Sequence, residues 1–508
     1  MNTFKRKALF TAVLAGLGAA GSAEAVYLNP NGLGQVLVYP YYTVQTANGN
    51  AWNTYLSVVN TTSRAKAVKV RVLEGKSSAE VLDFNLFLSP NDMWTAVIFP
   101  GTGDGAAARI GTTDTSCTNP VGGLRLDLGG TGEPFRNFQY DSGVDARPGT
   151  GLDRTREGYV EIIEMGALSG SWATAVTHVA GVPDDCTVVQ GPSAAPPAGE
   201  IEAPTGGLSG TGTLINVNNG QDAGYKADAL DAWSSVPQYS TPAETLPNIG
   251  AADPYSVVVK SGTSPNTGSA MAVTAYRSNF VLTSGVVAGA RAVASVYMHS
   301  SVINEYVLDT GSRSQTDWVV TQPVKRLFVG ATFAQPYSRA FVTTGACEDI
   351  EFTFFNREEA QGSAAGADFS PAPEGEVGQI CWETTVLSIR NGAAHTTALA
   401  AGVSGVLGSR NTTVVNVEPT FQNGWARMRF VGNGASVLGM GSSTSDIYGF
   451  GPLTTVAAGP IAVTFFGLPV TGFMVRTFQN GGLTCTTGTC QGNYGSLFNH
   501  SYETHIVP

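Results

Sequence analysis

Six cysteines are the residues with the most definite chemistry in this chain. Their number is even, and none belongs to a C-x2-C pair of the kind that binds zinc. In an oxidising compartment such a set predicts three disulfides, and sequence alone does not choose among the possible pairings. Pairing in chain order is the simplest arrangement, because each pair then brackets an irregular segment. The predicted disulfide cysteines are Cys117, Cys186, Cys347, Cys381, Cys485 and Cys490.

A hydrolytic site would need an activated nucleophile, usually a serine served by a histidine. The sequence has no G-x-S-x-G nucleophile elbow, and its five histidines are widely separated. Because triads assemble in space, any of them could still serve a distant serine, and a secreted hydrolase with an unfamiliar site stays an alternative. No catalytic residue is predicted, and each histidine is expected to be a surface or hydrogen-bonded residue. The histidines are His178, His299, His395, His500 and His505.

Carboxylates are the candidates for a metal site. Asp141, Asp145 and Asp153 offer the hard oxygen ligands that calcium prefers, but the spacing of an EF-hand is absent. Solvated turn aspartates are the favoured interpretation, so no metal is predicted. Glu161 and Glu164 lie three apart on an expected strand and therefore on opposite faces, which excludes them as a facing catalytic pair. No phosphate-binding loop is complete, and no cofactor is predicted.

Aromatic side chains could bind sugars by stacking, and the sequence contains seven tryptophans. They are scattered along the chain. Trp94 and Trp318 border or lie in apolar strands and are expected in the core. Trp52 and Trp233 stand beside polar turns and are the predicted candidates for an exposed sugar-binding surface. The remaining tryptophans are Trp172, Trp382 and Trp425.

Alternation of apolar and polar residues predicts the strands that position these groups. Valines at 68, 70 and 72 alternate with Lys69 and Arg71, and the next strand repeats the pattern. One face of such a strand is expected in the core and the other in water. Turn residues separate the runs at short intervals, which is typical of a β-sandwich. We therefore predict a mainly β protein with two β-sandwich-like (Ig-like) antiparallel domains, long Gly/Pro-rich loops and few short helices.

Two domains are expected, because a single core stops growing at about 250–300 residues. The first is an N-terminal β-sandwich at 26–332, with a long irregular insertion at about 100–254. The second is a C-terminal β domain at 333–508.

Several shorter segments carry their own predictions. Residues 191–212 have a low-complexity composition that predicts disorder or loose packing, and 361–378 are predicted to form a second mobile loop. Short helices are predicted near 172–180 and 225–233. A strand is expected at 292–299.

The first 25 residues predict the compartment. Basic residues at 5–7 precede an apolar core at 8–20, and the small-x-small sequence at 23–25 fits a signal-peptidase site. Residues 1–25 are therefore the predicted signal peptide, and Val26 is the predicted first residue of the mature chain. The apolar core is shorter than the roughly 20 residues of a membrane-spanning helix, so the protein is expected not to span the membrane. The cell surface or the extracellular space is the predicted location, with the periplasm as the alternative.

Composition restricts the partners. The formal net charge is −11, and charged residues make up 13% of the chain, about half the usual ~25%. This acidic balance argues against nucleic acid as a partner. A surface that is poor in charge and rich in glycine and hydroxyl groups favours self-association, contact with other surface components or contact with a polysaccharide.

Several short segments resemble a group of uncharacterised signal-peptide-bearing cell-surface proteins of Gram-negative bacteria. The resemblance implies an exported, surface-associated β-protein, and it implies no functional residues. The segments are Gly32–Val44 (GLGQVLVYPYYTV), Leu56–Leu88, Gly158–Gly166, Thr316–Lys325 (TDWVVTQPVK), Gly467–Gly472 (GLPVTG) and Asn493–Gly495.

The function predicted from the sequence is that of an exported structural or adhesive cell-surface protein, able to self-assemble and non-catalytic. Low charge, glycine richness and open sheet edges that could pair between chains motivate this prediction. A binding module for polysaccharide or another surface polymer is the second hypothesis. The hydrolase described above is the third.

Overall fold

A computed structural model describes residues 25–507, apart from 48, 104, 128, 263–271, 283–284, 363–376, 398–401, 431–436, 440–445, 451–462 and 486–487. The predicted signal peptide up to residue 24 lies outside the described residues, as does most of the predicted loop at 361–378. Strands make up 47% and helices 10% of the structure, which confirms the mainly β prediction.

Among its described residues, the first half of the chain consists mainly of short strands, with one helix, α1 (Gly170–Val176), and 3-10 turns at Gly122–Leu124, Leu152–Arg156, Cys186–Val189 and Ile249–Ala251. Its strands are β1 (Tyr27–Leu28), β2 (Val36–Thr43), β3 (Thr46–Ala47), β4 (Asn50–Ala51), β5 (Asn53–Asn60), β6 (Lys66–Glu74), β7 (Glu80–Leu88), β8 (Met93–Pro100), β9 (Ala108–Gly111), β10 (Cys117–Asn119), β11 (Glu133–Pro134), β12 (Glu157–Leu168), β13 (His178–Val179), β14 (Val182–Pro183), β15 (Ile201–Glu202), β16 (Leu208–Asn216), β17 (Gln221–Lys226) and β18 (Asp228–Asp231).

The second half has the helices α2 (Ala288–Tyr297) and α3 (Ala394–Thr397) and a 3-10 turn at Lys325–Leu327. Its strands are β19 (Tyr255–Gly262), β20 (Ala272–Asn279), β21 (Met298–His299), β22 (Ser301–Val307), β23 (Gln315–Thr321), β24 (Glu348–Asn356), β25 (Val377–Ile380), β26 (Thr384–Arg390), β27 (Thr412–Asn416), β28 (Asn423–Phe430), β29 (Val437–Gly439), β30 (Asp446–Phe450), β31 (Thr464–Phe466), β32 (Leu468–Pro469), β33 (Thr471–Cys485), β34 (Gly488–Asn499), β35 (Ser501–Glu503) and β36 (His505–Val507).

Four larger sheets organise these strands. Sheet 1 has the order β1-β18-β2-β12-β6-β7-β10, with β15 added beside β12, and sheet 2 has the order β11-β9-β8-β5-β16-β17. Sheet 3 has the order β25-β24-β28-β22-β35, and sheet 4 has the order β27-β26-β23-β33-β34. Within these sheets the pairing is antiparallel except between β26 and β27. The predicted sandwich architecture is thus present.

Sheet 4 contributes to two hydrophobic cores. Trp318 and Val320 pack in one core with Phe352 of sheet 3, whereas Val319 packs in the other core, which also holds Leu37 of sheet 1. Alternate residues of β23 therefore face opposite cores, and the whole strand is buried. Only Trp318, Val319 and Val320 of this strand are apolar, so its burial on both faces also covers polar side chains such as Asp317.

The expected boundary between 332 and 333 passes through two sheets. Strand β22 pairs with β28 of the second half, and β23 pairs with both β26 and β33. The first half is also bonded to this layer, since Thr321 Oγ1 donates a hydrogen bond to the carbonyl of Pro40 at 2.6 Å. The strands on either side of position 332 therefore belong to shared sheets.

The polar face of β6 is buried, and the expectation that it faces water is wrong. Lys69 has no exposed surface, and Arg71 is nearly covered. The irregular segment at 232–254 lies over this face and supplies backbone acceptors. Lys69 Nζ donates to the carbonyl of Glu244 at 2.7 Å, and Asn85 Nδ2 donates to the carbonyl of Ser240 at 2.9 Å. Carbonyls from a turn thus take the place of water.

The predicted irregular insertion contributes strands to both N-terminal sheets. Strand β12 lies in the middle of sheet 1, and β16 lies next to the edge of sheet 2. Residues 225–233, predicted as helix, form the end of β17 and β18 instead, because both pair with neighbouring strands. Helix α1 overlaps the helix predicted near 172–180. The segment 191–212, predicted to be disordered or loosely packed, contains β15 and the start of β16.

Helix α2 occupies most of the segment where a strand was expected at 292–299. Its sequence, AGARAVASVY, alternates alanine with other residues, and alanine has the highest helix propensity. The valines that suggested a strand instead form an apolar helix surface. Val293 packs in the core that also contains Val36 of sheet 1 and Trp318 of sheet 4.

Candidate functional site

The predicted sugar-binding tryptophans are buried, so the prediction of their exposure is wrong. Trp52 is 1% exposed, and its Nε1 donates to the carbonyl of Val406 at 3.2 Å. Trp233 has no exposed surface, and its Nε1 donates to the carbonyl of Ile249 at 2.9 Å. Polar turns do flank both residues, but segments distant in sequence cover the rings. Trp94 and Trp318, expected in the core, are fully buried.

Trp425 is the most exposed of the tryptophans, with 37% of its area exposed. It lies in β28, where Ala426 and Met428 point into the core and the alternate residues point outward. Its ring stacks on that of Phe355 in β24, with centroids 4.6 Å apart and planes 15° from parallel. Arg427 places its guanidinium 5.8 Å from the Trp425 ring. The indole is thus held by neighbours on a rigid sheet and keeps an exposed side.

The exposed surface continues onto the hairpin formed by β33 and β34. Glu305 is the cross-strand partner of Trp425, and its carboxylate lies 3.3 Å from Arg476 Nη1. The Arg476 guanidinium in turn lies 4.8 Å from the ring centre of Phe498, which is 46% exposed. Asn304 Nδ2 donates to the carbonyl of Phe498 at 3.3 Å. We call this surface the aromatic face and define it by Phe355, Trp425, Phe498, Glu305, Arg427 and Arg476.

Each arginine of the aromatic face has a carboxylate partner. Arg476 is paired with Glu305, and Arg427 Nη2 lies 2.9 Å from Glu503 on β35. Partly exposed pairs of this kind contribute little stability, typically below about 1 kcal/mol. They do hold polar donors and acceptors beside the aromatic rings. Such a surface can stack on an apolar ring face and hydrogen-bond to its substituents without requiring the ligand to be charged.

A buried polar cluster lies at the seam, by which we mean the contact between the two halves of the chain. Lys325 Nζ donates to the carbonyls of Ala346 and Cys381 at 2.7 and 3.1 Å. Burial lowers the pKa of Lys325 and raises the pKa of Glu383, because it penalises the charged form of each. Both side chains are at most 1% exposed, so a substrate does not reach them. The cluster holds the seam instead: Tyr159 Oη lies 3.1 Å from the carbonyl of Pro323.

The histidines do not assemble with serine into a relay in the described residues. His178 Nδ1 lies 3.6 Å from Asp92 Oδ2, and the Ser116 hydroxyl donates to the same oxygen at 3.3 Å. Ser116 and His178 therefore both contact the Asp92 carboxylate, whereas a catalytic relay needs a hydrogen bond between the serine and the histidine. His500 is buried, and this burial lowers its pKa to about 4. The ring of His395 lies 3.1 Å from the carbonyl of Ser314.

Of the three candidate metal ligands, Asp141 and Asp153 are exposed, whereas Asp145 is buried. Asp145 is bound to Arg326 at 2.6 Å, while its own carbonyl accepts a hydrogen bond from Arg154. Across the described residues, no group of three or more histidine, cysteine, aspartate or glutamate side chains could hold a metal ion. Glu161 and Glu164 point to separate partners, Arg71 and Lys66.

Two of the disulfides suggested by pairing in chain order are present. Cys117 bonds to Cys186, and Cys347 bonds to Cys381. Cys485 and Cys490 lie in the hairpin of β33 and β34, and their side chains are outside the described part of the structure. In the part of the chain that is described, no helix is both long and apolar enough to cross a membrane.

Comparison with known proteins identifies no relative of this chain. No protein-family model matches this chain, and neither a curated protein nor a solved structure matches it.

Proposed function

We propose that this protein is an exported, non-catalytic adhesive protein of the cell surface that binds a polysaccharide or another surface polymer through the aromatic face. The observation that carries the proposal is Trp425, which is exposed in the middle of a strand and stacked on Phe355. Exposed aromatic side chains set among polar groups are characteristic of recognition surfaces. The apolar faces of sugar rings fit the indole, and their hydroxyls fit Glu305 and the neighbouring guanidinium groups.

The edges of the sheets favour polymer binding over self-assembly by strand pairing. Most edge strands are short, such as β10 with three residues and β11 with two, and short edges resist pairing between chains. The longer edge strands β17 and β34 lie against each other, where Asn493 Nδ2 donates to the carbonyl of Asn219 at 2.7 Å. The proposal therefore keeps the exported, adhesive and non-catalytic protein of the first function inferred from the sequence, and replaces self-assembly with the polymer binding of the second.

Two features support export. Disulfides persist in oxidising compartments outside the cytosol, and the structure contains two of them. The N-terminal sequence fits a secretion signal.

Binding of the mature protein to a glycan array and to insoluble cell-wall polysaccharides tests the proposal. Trp425→Ala removes the exposed indole, and we expect a loss of about 2 kcal/mol, or on the order of thirtyfold in Kd. Phe138→Ala is the matched control, because Phe138 is 74% exposed on a different part of the surface.

Two results would overturn the proposal. One is the absence of saturable binding to any polymer by the unmodified protein. The other is equal binding by the Trp425→Ala protein and the Phe138→Ala protein. Turnover in esterase, glycosidase or peptidase assays would contradict the non-catalytic part of the proposal.

A further inference from the structure

The outer face of sheet 2 is exposed and carries no charge at its centre. Along β5, β8 and β16, buried residues alternate with partly or fully exposed ones, so every second side chain points outward. The structure describes all three strands completely, and none of their outward side chains is charged. Tyr55 is 49% exposed and Met93 is 53% exposed. We use the term sheet 2 face for the outward side chains of these three strands and of the flanking strands β9 and β17.

This composition is that of an interface. A sheet face in water usually carries polar and charged side chains, whereas the centre of a protein interface lacks charged groups and its rim is polar. On the sheet 2 face the charged side chains lie at the margins, Arg109 on β9 and Asp222 and Lys226 on β17. At the centre, the hydroxyl groups of Ser57 and Thr211 lie 2.7 Å apart and bond to each other. Removing water from these two hydroxyl groups therefore leaves each with a partner.

The charges at the two margins are complementary. The cross-strand registers from β9 to β17 place Arg109 and Asp222 in the same row of the sheet, one at each end. A two-fold axis parallel to the strands, between β8 and β5, preserves the row and exchanges its ends. It therefore brings Arg109 of each copy towards Asp222 of the other, so the face is complementary to itself. Lys226 Nζ has an acceptor in its own chain, the carbonyl of Asn31 at 3.2 Å.

The size of the sheet 2 face fits a second copy of this chain better than a polymer. Five strands about 4.8 Å apart, with about seven residues of 3.3 Å in each, cover roughly 500 Å². A pair of such faces provides roughly 1,000 Å², which is the lower bound of a specific interface. A single polysaccharide chain is much narrower than this face and would leave most of it in water.

We propose that the mature protein forms a closed dimer in which the sheet 2 faces of two copies pack against each other. Sheets that pack face to face lie about 10 Å apart, with their strands within about 30° of each other. This contact uses the face of a sheet and leaves its edges free, so it ends with two copies and does not propagate. The dimer carries two aromatic faces, and its formation does not depend on what they bind.

Sedimentation equilibrium of the mature protein at micromolar concentrations tests the proposal. We expect the mass of two chains, with no further increase as the concentration rises. The mass of one chain at every concentration would overturn the proposal. A mass that keeps growing with concentration would overturn it as well, because a two-fold contact between faces is closed.

A charge at the centre of the face identifies the surface involved. Tyr55→Glu is expected to raise the dissociation constant of the dimer about a hundredfold, because each copy would bury an unpaired carboxylate. Val342→Glu is the matched control, since Val342 is 48% exposed and lies outside sheet 2, and this protein should remain dimeric. A Tyr55→Glu protein that folds and remains dimeric would overturn the assignment of the face.

Two further variants separate this proposal from that of polymer binding. Trp425→Ala should leave the dissociation constant of the dimer unchanged, whatever its effect on polymer binding. A monomeric protein whose polymer binding is lost in Tyr55→Glu would overturn the dimer and assign the sheet 2 face to the polymer.

Exchange of the marginal charges tests the two-fold arrangement. Asp222→Arg places two guanidinium groups together at each margin, and we expect the dimer to weaken about tenfold. Arg109→Glu should weaken it similarly by placing two carboxylates together. An equimolar mixture of these two variants should regain the unmodified affinity, because every marginal contact then joins opposite charges. Since Arg109 also donates to the carbonyls of Thr131 and Gly132, an unchanged dissociation constant in the Asp222→Arg protein alone is enough to contradict the arrangement.

Discussion

At the scale of single residues, buried histidine makes the stability of the protein depend on acid. The His500 ring packs 5.4 Å from that of Trp318, and its Nε2–H donates to the carbonyl of Val319 at 2.9 Å. Its Nδ1 lies 3.0 Å from Asn304 Nδ2 and accepts from that amide. This arrangement requires the uncharged ring, and burial lowers the pKa of His500 from 6.5 to about 4.

The free energy of unfolding should therefore fall as the pH drops from 6.5 to 4. In this window the unfolded chain binds a proton at position 500 and the folded chain does not, so acid favours unfolding. The shift in pKa corresponds to about 3 kcal/mol. Urea denaturation at pH 7 and pH 4 should show a decrease in unfolding free energy of this size in the unmodified protein. In the His500→Gln protein this decrease should be absent.

The exposed His505 provides the control for this experiment. His505→Gln should leave the difference in unfolding free energy between pH 7 and pH 4 as it is in the unmodified protein. An unchanged difference in the His500→Gln protein would show that the acid dependence arises elsewhere.

At the scale of strands, a glycine controls how the aromatic face is built. Gly424 precedes Trp425, and a Cβ atom at this position would lie 1.9 Å from the carbonyl oxygen of Phe355 and 2.5 Å from Tyr306 Oη. The absence of a side chain lets Tyr306 Oη donate to that same carbonyl at 3.0 Å. Close packing of three strands around one glycine thus fixes the stacked pair of rings.

Gly424→Ala should therefore weaken both folding and binding. Pushing the strands apart is expected to cost about 1–3 kcal/mol of unfolding free energy, measured by chemical denaturation. Polymer binding should weaken as well, because Phe355 moves relative to Trp425. Gly330→Ala is the control, since no atom lies within 4 Å of the added Cβ. Equal stability of the two variants would contradict this account of Gly424.

The aromatic face could have been found from local sequence, because alternation determines which side chains point outward. In the sequence GWARMRF, Trp425, Arg427 and Arg429 alternate with Ala426 and Met428, which is a strand with an aromatic and basic outer face. Proximity to polar turns, the criterion that favoured Trp52 and Trp233, says nothing about coverage by distant segments. The ring of a tryptophan beside a turn is buried whenever another part of the chain folds over it.

The strands themselves follow from local pattern, but the burial of their polar faces does not. Alternation correctly predicts a strand around Lys69 and Arg71. Its polar side is covered by residues 232–254, and no local signal shows which irregular segment folds over which strand. Helix α2 is a different case, because its four alanines are a local signal for helix that outweighs the valines.

At the scale of the whole molecule, the position of sheet 4 makes the two halves one structure. Its central strand β23 exposes neither face, since Val319 and Trp318 belong to different cores. The expected division at 332 followed from chain length, which gives the number of cores but not their arrangement. Pairing between strands that are distant in sequence determines that arrangement, and such pairing leaves no local pattern.

Because one sheet closes both cores, the halves should unfold together. Calorimetry of the full mature chain should show a single transition whose van't Hoff and calorimetric enthalpies agree. A fragment of residues 333–508 lacks β22 and β23 and should fail to give native near-ultraviolet circular dichroism, because sheets 3 and 4 each lose an interior strand. A fragment of residues 255–508 keeps both strands and is the comparison. Two separate transitions in the full chain, or a natively folded 333–508 fragment, would show that the halves are independent domains and that the seam around Lys325 joins bodies that are already complete.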